Sequence, residues 1–225
     1  ESGYSYDVGI RGTHNTFLNF DINYFGLLYN NRIGFLQKKV ELMPGFFTTK
    51  TQKGNVGDAF IHGIEGLIEI KIKNIQKRSL GGFINYAYTE SEYLQSESQF
   101  IIGNQVEFVP EHNLKCGLNF NYKRYMVGLQ LTYMSNQFTD ASNAIESNVS
   151  GILGMIPSYH ILDLSSGFNY KKTKVFFGIN NLLDKYYFTR RATGYPGPGI
   201  IPSPDRNYYI TLELTYWQYA FITRK

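Results

Sequence analysis

Two groups of cationic side chains are the part of this sequence best suited to binding chemistry. Four lysines fall within residues 38–53, and Arg190 and Arg191 adjoin each other far downstream. Cationic side chains bind carboxylates through charge-assisted hydrogen bonds, which makes Lys38, Lys39, Arg190 and Arg191 candidates for holding an anionic ligand. The alternative for each is the solvated face of a surface loop, and the residues alone leave both interpretations open.

Residues that commonly bind metals are scattered along the chain. None of the four histidines has a ligating partner two or four residues away: His14, His62, His112 and His160. Cys116 is the single cysteine, so the chain can form neither an internal disulfide nor a thiolate cluster. The sequence therefore predicts no metal site, and surface positions are expected for the histidines.

Catalytic and nucleic-acid motifs are missing as well. Ser165 and Ser166 lack the context of a nucleophile elbow, and the run Gly194–Gly199 is followed by neither a Lys-Ser/Thr pair nor a helical pattern, so it does not resemble a phosphate-binding loop. The net charge is +4, but the basic residues do not cluster on one element. We therefore expect no enzyme, no cofactor and no nucleic-acid partner.

Alternation of apolar and polar residues is the dominant pattern of the chain, and it indicates strands with one apolar and one polar face. In the last segment Tyr208, Ile210, Leu212 and Leu214 alternate with more polar neighbours. This period predicts nine strands, at Tyr4–Ile10, Leu18–Tyr24, Ile68–Ile72, Leu80–Tyr88, Cys116–Tyr122, Val127–Leu131, Leu162–Tyr170, Val175–Ile179 and Tyr208–Tyr216.

Strand length and loop length separate a membrane barrel from a soluble β-sandwich, which would show the same alternation. Many runs hold the pattern for about nine to eleven residues, the span of a tilted strand across a bilayer, whereas soluble strands average about five or six. Tight turns also alternate with long connections, over residues 31–57, 94–111, 139–158 and 188–205. This asymmetry is typical of outer-membrane barrels, with the long loops outside the cell.

Four segments carry a resemblance to a known family. The run Asn180–Tyr187, of sequence NNLLDKYY, and the tripeptide Gly63-Ile64-Glu65 resemble signatures of TonB-dependent outer-membrane receptors. The run Asn136–Ala141, NQFTDA, and the run Gly154–Tyr159, GMIPSY, are similar to the ferric dicitrate receptor subgroup. The resemblance covers nearly the whole chain.

The resemblance implies an all-β fold, an antiparallel transmembrane β-barrel portion with about nine meandering strands of a 22-stranded barrel. Residues 1–216 would be the C-terminal part of the barrel and residues 217–225 a tail, since family barrels usually end on an aromatic residue, here Tyr216. The chain would lie in the bacterial cell outer membrane, in contact with its lipid. Its partners would be the N-terminal plug and remaining strands of the same receptor, and the TonB complex through that N-terminal part.

The resemblance also implies a ligand, a ferric chelate such as a siderophore or ferric citrate. Citrate carboxylates already wrap the iron, so a receptor needs cationic and amide donors rather than metal ligands. Gln37 lies where a loop glutamine of the dicitrate receptors contacts the ligand, and it joins Lys38, Lys39, Arg190 and Arg191 as a candidate substrate-binding residue.

A stand-alone outer-membrane barrel of structural, adhesive or enzymatic type remains the alternative. An enzyme of the phospholipase type would need serine and histidine side by side on lipid-facing strands, and the sequence offers no such pair. Nine is an odd number of strands, which bacterial single-chain barrels do not use. We therefore expect the chain to be a piece of a longer receptor.

Overall fold

In the computed structural model, the described residues form eleven β-strands. The structure describes residues 1–15, 17–75, 78–192 and 197–215, without the side chains of residues 37–39, 49–51 and 73–75. The strands are β1 (Ser2–His14), β2 (Leu18–Met43), β3 (Phe46–Ile75), β4 (Arg78–Gln95), β5 (His112–Tyr122), β6 (Tyr125–Met134), β7 (Tyr159–Tyr170), β8 (Thr173–Asn180), β9 (Phe188–Ala192), β10 (Gly199–Pro202) and β11 (Asn207–Leu214).

Nine of these strands form one antiparallel sheet in the order β1 to β8 followed by β11. Within this sheet each strand pairs with the next strand of the sheet, and β8 pairs with β11, which makes the sheet a simple meander. Strands β9 and β10 form a separate hairpin in the connection between β8 and β11. The predicted all-β fold and the nine predicted strands are confirmed, and the β9–β10 hairpin is an addition to them.

The register places apolar residues opposite one another on a single face of the sheet. Ile68 pairs with Phe20 on one side and Ile84 on the other, and Leu129 pairs with both Leu118 and Leu164. We call this surface the apolar face. Large side chains on it are exposed, and no second large sheet of the described residues covers them, unlike the inner faces of a soluble sandwich.

The opposite surface, which we call the polar face, carries charged and amide pairs. Arg11 lies opposite Asp21, and Asn23 lies opposite Glu65, within a concavity of ≈ 660 Å³. Gln130 lies opposite Asp163 further along the sheet. Both faces are therefore set by the strict two-residue period of the sequence.

The structure differs from the sequence prediction between residues 31 and 57. A long loop was expected there, but β2 continues to Met43 and β3 begins at Phe46, so the two strands form a hairpin that extends beyond the sheet. The register shifts between Tyr29 and Arg32, where the extension begins. Pro44 and Gly45 make the turn, and Gly45 has a φ of 81°, which favours glycine. We call residues 32–57 the hairpin extension.

A small hydrophobic core lies at the end of the sheet that carries the long connections, the long-loop end. Tyr93 and Ala59 of adjacent strands are fully buried there, and Val106 and Ala141 pack on them from two connections. Leu27 and Tyr29, on the polar face of β2, pack against this core. The connections thus fold back over the polar face. None of the described residues forms a helix long and apolar enough to cross a membrane.

Candidate functional site

The long connections meet at one end of the sheet and form a shared surface. The antiparallel meander brings the hairpin extension, residues 96–111, residues 135–158 and the β9–β10 hairpin to this end. The candidate site is the surface that these four segments build, and its geometry follows from the contacts that hold them in place.

A buried network of three side chains joins the hairpin extension to residues 96–111. The Nη1 atom of Arg32 donates to Oε1 of Glu107 at 2.6 Å and to the hydroxyl of Tyr93 at 2.7 Å. The Tyr93 hydroxyl donates in turn to Oε2 of Glu107 at 2.6 Å. The side chain of Glu107 is only 2% exposed, so its charge is balanced inside the protein by Arg32.

Burial and charge set the protonation states in this network. Burial raises the pKa of Tyr93 well above its ordinary value, and the hydrogen bond to Glu107 raises it further. Burial alone would lower the pKa of Arg32, but the hydrogen bond and the charge of Glu107 outweigh burial, and the net direction is upward. Tyr93 is therefore a neutral donor near pH 7. The positive charge of Arg32 is paired with Glu107, so Arg32 is not available to bind an anionic ligand.

Gly34 permits the close approach of the hairpin extension to Glu107. A Cβ atom at this position would clash with Oε1 of Glu107 and would lie 2.9 Å from Cγ2 of Val56. A residue with a side chain would push the extension away from residues 96–111. The glycine is thus required by packing rather than by backbone conformation.

Backbone and amide hydrogen bonds lock residues 96–111 to residues 135–158. Asn143 accepts from the amide of Gln105 at 2.8 Å and donates to its carbonyl oxygen at 2.8 Å. Asn104 donates to the carbonyl oxygen of Ala141 at 2.9 Å, and the amide of Phe108 donates to the carbonyl oxygen of Phe138. These two connections therefore form a single folded unit.

Arg191 ties the β9–β10 hairpin to this unit. Its Nη1 and Nη2 atoms donate to the carbonyl oxygens of Gly151 and Met155, at 2.8 Å and 3.1 Å. Its guanidinium lies 5.2 Å from the centre of the Phe188 ring, and burial lowers its pKa. Arg190, its neighbour, is exposed. The two adjacent arginines thus occupy different environments, one holding the loops and the other facing solvent.

The other predicted binding residues lie on the hairpin extension. The backbones of Gln37, Lys38 and Lys39 pair with those of residues 51, 50 and 49, while their side chains fall outside the described part of the chain. Lys53 is exposed and lies 5.7 Å from the centre of the Phe35 ring. Among the described strands β9 pairs only with β10, so backbone pairing does not bring the arginines to the lysines. The roles of Gln37, Lys38, Lys39, Arg190 and Arg191 in ligand binding stay predictions.

Three of the four histidines, His62, His112 and His160, belong to an aromatic belt on the apolar face near the long-loop end, whereas His14 lies at the tight turn between β1 and β2, against Phe17. His62 stacks on Phe60 at 4.6 Å, and Nδ1 of His112 shares a 2.9 Å hydrogen bond with the hydroxyl of Tyr86. His160 lies opposite Tyr133 in the register. Within the described residues, no three histidine, cysteine, aspartate or glutamate side chains are placed to hold a metal ion together.

Sequence reasoning missed the residues that organise the site. Arg32 and Glu107 are 75 positions apart, and Gln105 and Asn143 are 38 apart. The one local signal is Glu107 itself, a single charge between the apolar Val106 and Phe108. A charge in such a position needs a partner if it is buried.

A comparison with protein families decides which family this sheet represents. Residues 1–182 match the family described as TonB dependent receptor-like, beta-barrel. The chain belongs to this family. The receptors and transporters among its structural relatives are not enzymes, in agreement with the prediction from sequence. No curated protein sequence matches the chain.

Solved structures of receptors and transporters for ferric chelates and copper share the fold. The ferric citrate transporter FecA in its unliganded form superimposes with a TM-score of 0.73 at 20% identity, over 93% of this chain and 30% of FecA. The ferric yersiniabactin uptake receptor FyuA from Yersinia pestis gives 0.69 at 18% identity, over 95% of this chain and 30% of FyuA. The copper transporter OprC gives 0.65 at 16% identity, over 94% and 30%. The chain therefore spans about a third of the length of these receptors.

Proposed function

We propose that this chain is the C-terminal barrel portion of an outer-membrane TonB-dependent receptor that takes up a ferric chelate, either a siderophore or ferric citrate. Membership of the TonB-dependent receptor family is the observation that carries the proposal. The meander of nine strands, with interlocked loops at one end only, has the organisation that such a receptor needs to bind a ligand outside the membrane.

The two faces of the sheet support a membrane location. Exposed aliphatic side chains such as Leu118, Ile210 and Leu212 on the apolar face are suited to a lipid environment. The belt of Tyr86, His62 and their aromatic neighbours lies where the strands would leave the hydrocarbon layer. The polar face then lines the barrel interior.

Cationic donors at the long-loop end support a chelate that carries carboxylates. Arg190 is exposed beside a loop unit that Arg191 fixes in place, so its guanidinium is available for a charge-assisted hydrogen bond. Gln37, Lys38 and Lys39 lie on the hairpin extension and would supply an amide and two charges. In this assignment Arg191 positions the site, and the other four residues contact the ligand.

Energy coupling is assigned to the whole receptor. An N-terminal plug, the remaining strands and a contact with the TonB complex would complete the transporter. Strands β1 and β11 each pair on one side only among the described strands, and an unpaired edge in lipid costs several kcal/mol for each unsatisfied group. This cost disfavours these nine strands standing alone in the membrane as an open sheet.

Uptake of radiolabelled iron by cells that carry the intact receptor tests the proposal. We expect uptake of a ferric chelate that depends on both the receptor and TonB, with little uptake of copper under the same conditions. Copper is the competing cargo because a copper transporter also shares the fold. Uptake of copper without uptake of any ferric chelate would replace the proposed cargo and leave the family assignment intact.

A further inference from the structure

The tip of the hairpin extension exposes a group of large apolar side chains. Leu42 is 61% exposed, Met43 68% and Phe46 74%. A Cβ atom on Gly45, at the turn itself, would meet no atom within 4 Å, so the turn stands clear of the described molecule. Neighbouring apolar side chains at such a position mark interaction sites more often than scattered single ones do.

The hairpin extension stands apart from the sheet. Pairing of β2 with β1 ends at Asn30, and pairing of β3 with β4 begins at Asp58. Between these points the extension is a two-stranded ribbon, whose tip lies roughly 35 Å beyond its base at about 3.3 Å per residue. Lipid around the apolar face would end near the aromatic belt of Tyr24 and His62, so the tip lies beyond the reach of that layer.

The charge of the ribbon narrows the choice of partner. Its sequence contains four lysines, Lys38, Lys39, Lys50 and Lys53, and a single acidic residue, Glu41. A second copy of the receptor would present the same positive ribbon and would be repelled. A partner with acidic groups around an apolar pocket is complementary in both respects.

We propose that the tip, Leu42–Phe47, is a docking site for an acidic protein at the cell surface. Phe46 is the aromatic anchor, Leu42 and Met43 widen the apolar contact, and the lysines of the ribbon pair with carboxylates at the rim of the partner's pocket. The small area of the tip fits a transient contact rather than a permanent subunit interface. The apolar tip residues have no part in chelate binding, whereas Lys38 and Lys39 of the ribbon are also assigned to the chelate.

A photo-crosslinking amino acid at position 46 of the intact receptor in living cells identifies the partner. The protein identified in the adduct is then purified, and the dissociation constant of its complex with the intact receptor is measured. We expect Phe46→Ser to weaken this binding by about tenfold or more, because an aromatic anchor is lost. Higher salt should weaken binding by the wild-type receptor, because the rim contacts are charged.

Phe100→Ser is the matched control. Phe100 is 92% exposed on a neighbouring connection, and the same substitution there should leave partner binding unchanged. Both variants replace exposed side chains and should retain the fold, which chelate binding by each variant checks. Equal binding by wild type and Phe46→Ser would overturn the proposal. So would a partner with a basic surface, a crosslink to lipopolysaccharide or a second receptor alone, or the lack of any adduct.

Discussion

Three side chains from separate elements, Arg32, Tyr93 and Glu107, determine how the hairpin extension meets the loops. Each contact in this network is 2.6–2.7 Å long, and the carboxylate at its centre is shielded from water. Removing one partner of a buried ion pair costs about 3 to 5 kcal/mol, because the other charge is left buried and unpaired. The network therefore holds the hairpin extension against residues 96–111.

Gly34→Ala should disrupt this network without replacing any of its charged side chains. The added Cβ would clash with Glu107 and displace the extension, so we expect faster hydrogen exchange across residues 96–111 of the intact receptor. Gly81→Ala is the control, since its Cβ would lie 3.7 Å from the nearest atom. Unchanged exchange in Gly34→Ala, or equal acceleration in both variants, would contradict the proposed packing role.

Alkaline pH should weaken the same contact through Tyr93. The pKa of Tyr93 is raised in the folded state, so above its ordinary value of 10.0 the unfolded segment loses a proton that the folded one keeps. The contribution of Tyr93 to stability is therefore fully present below about pH 10 and is lost as the pH rises further. We expect protection of residues 96–111 to decline over this range in wild type more than in Tyr93→Phe. Parallel declines would exclude Tyr93 as the source.

Sequence reasoning found individual charges at this scale but not their partners. Arg190 and Arg191 are indistinguishable as neighbours in a sequence, yet Arg191 binds carbonyl oxygens 40 and 36 positions away. Such contacts depend on how two connections fold against each other. No local pattern encodes that arrangement.

At the scale of elements, the two-residue period of the strands carries nearly all of the information. It predicted the nine strands of the sheet and their two faces, because a shift of one residue would exchange the faces completely. The sequence predicts a loop where the structure has the hairpin extension, although Pro44-Gly45 between Val40 and Phe46 is a turn signal within residues that favour strands. The β9–β10 hairpin escaped prediction because glycine and proline dominate the stretch that leads into β10.

Substitutions on the two faces should therefore differ in cost. Phe120 lies on the apolar face opposite Leu80, and Asn119 lies on the polar face opposite Gly81. In the intact receptor, Phe120→Arg should lower the free energy of unfolding by roughly 2 to 4 kcal/mol if it lies near the middle of the membrane. Asn119→Arg, the adjacent control, should have a much smaller effect. Denaturant titration in lipid measures both, and equal costs would reverse or abolish the assignment of the faces.

At the scale of the whole molecule, the sheet is an open segment with loops gathered at one end. Sequence signatures were sufficient to predict the family, and the family match over residues 1–182 confirms that prediction. Selectivity for the cargo depends on side chains spread over several loops. The structural relatives named for ferric citrate, ferric yersiniabactin and copper all share the fold, at TM-scores from 0.65 to 0.73. Fold likeness at this level therefore does not select among them.

Calorimetric titration of the intact receptor with ferric citrate, at low and high salt, tests the central claim most directly. Ferric siderophores and a copper salt serve as competing ligands. We expect binding of a ferric chelate that weakens as salt rises, because the donors are charged. Arg190→Gln should weaken binding by about tenfold or more at low salt, since a charged hydrogen bond contributes about 1.5 to 3 kcal/mol.

Two further variants, one at a predicted ligand contact and one control, make the titration specific to the proposed site. Gln37→Ala should cost about 0.5 to 1.5 kcal/mol at either salt concentration, because a neutral hydrogen bond is little screened. Arg124→Gln is the control, an exposed arginine at the opposite end of the sheet that lies over the Tyr170 ring. The account predicts that binding of the ferric chelate depends on Arg190 and Gln37 but not on Arg124. Binding of copper but no ferric chelate, or equal effects of Arg190→Gln and Arg124→Gln, would contradict it.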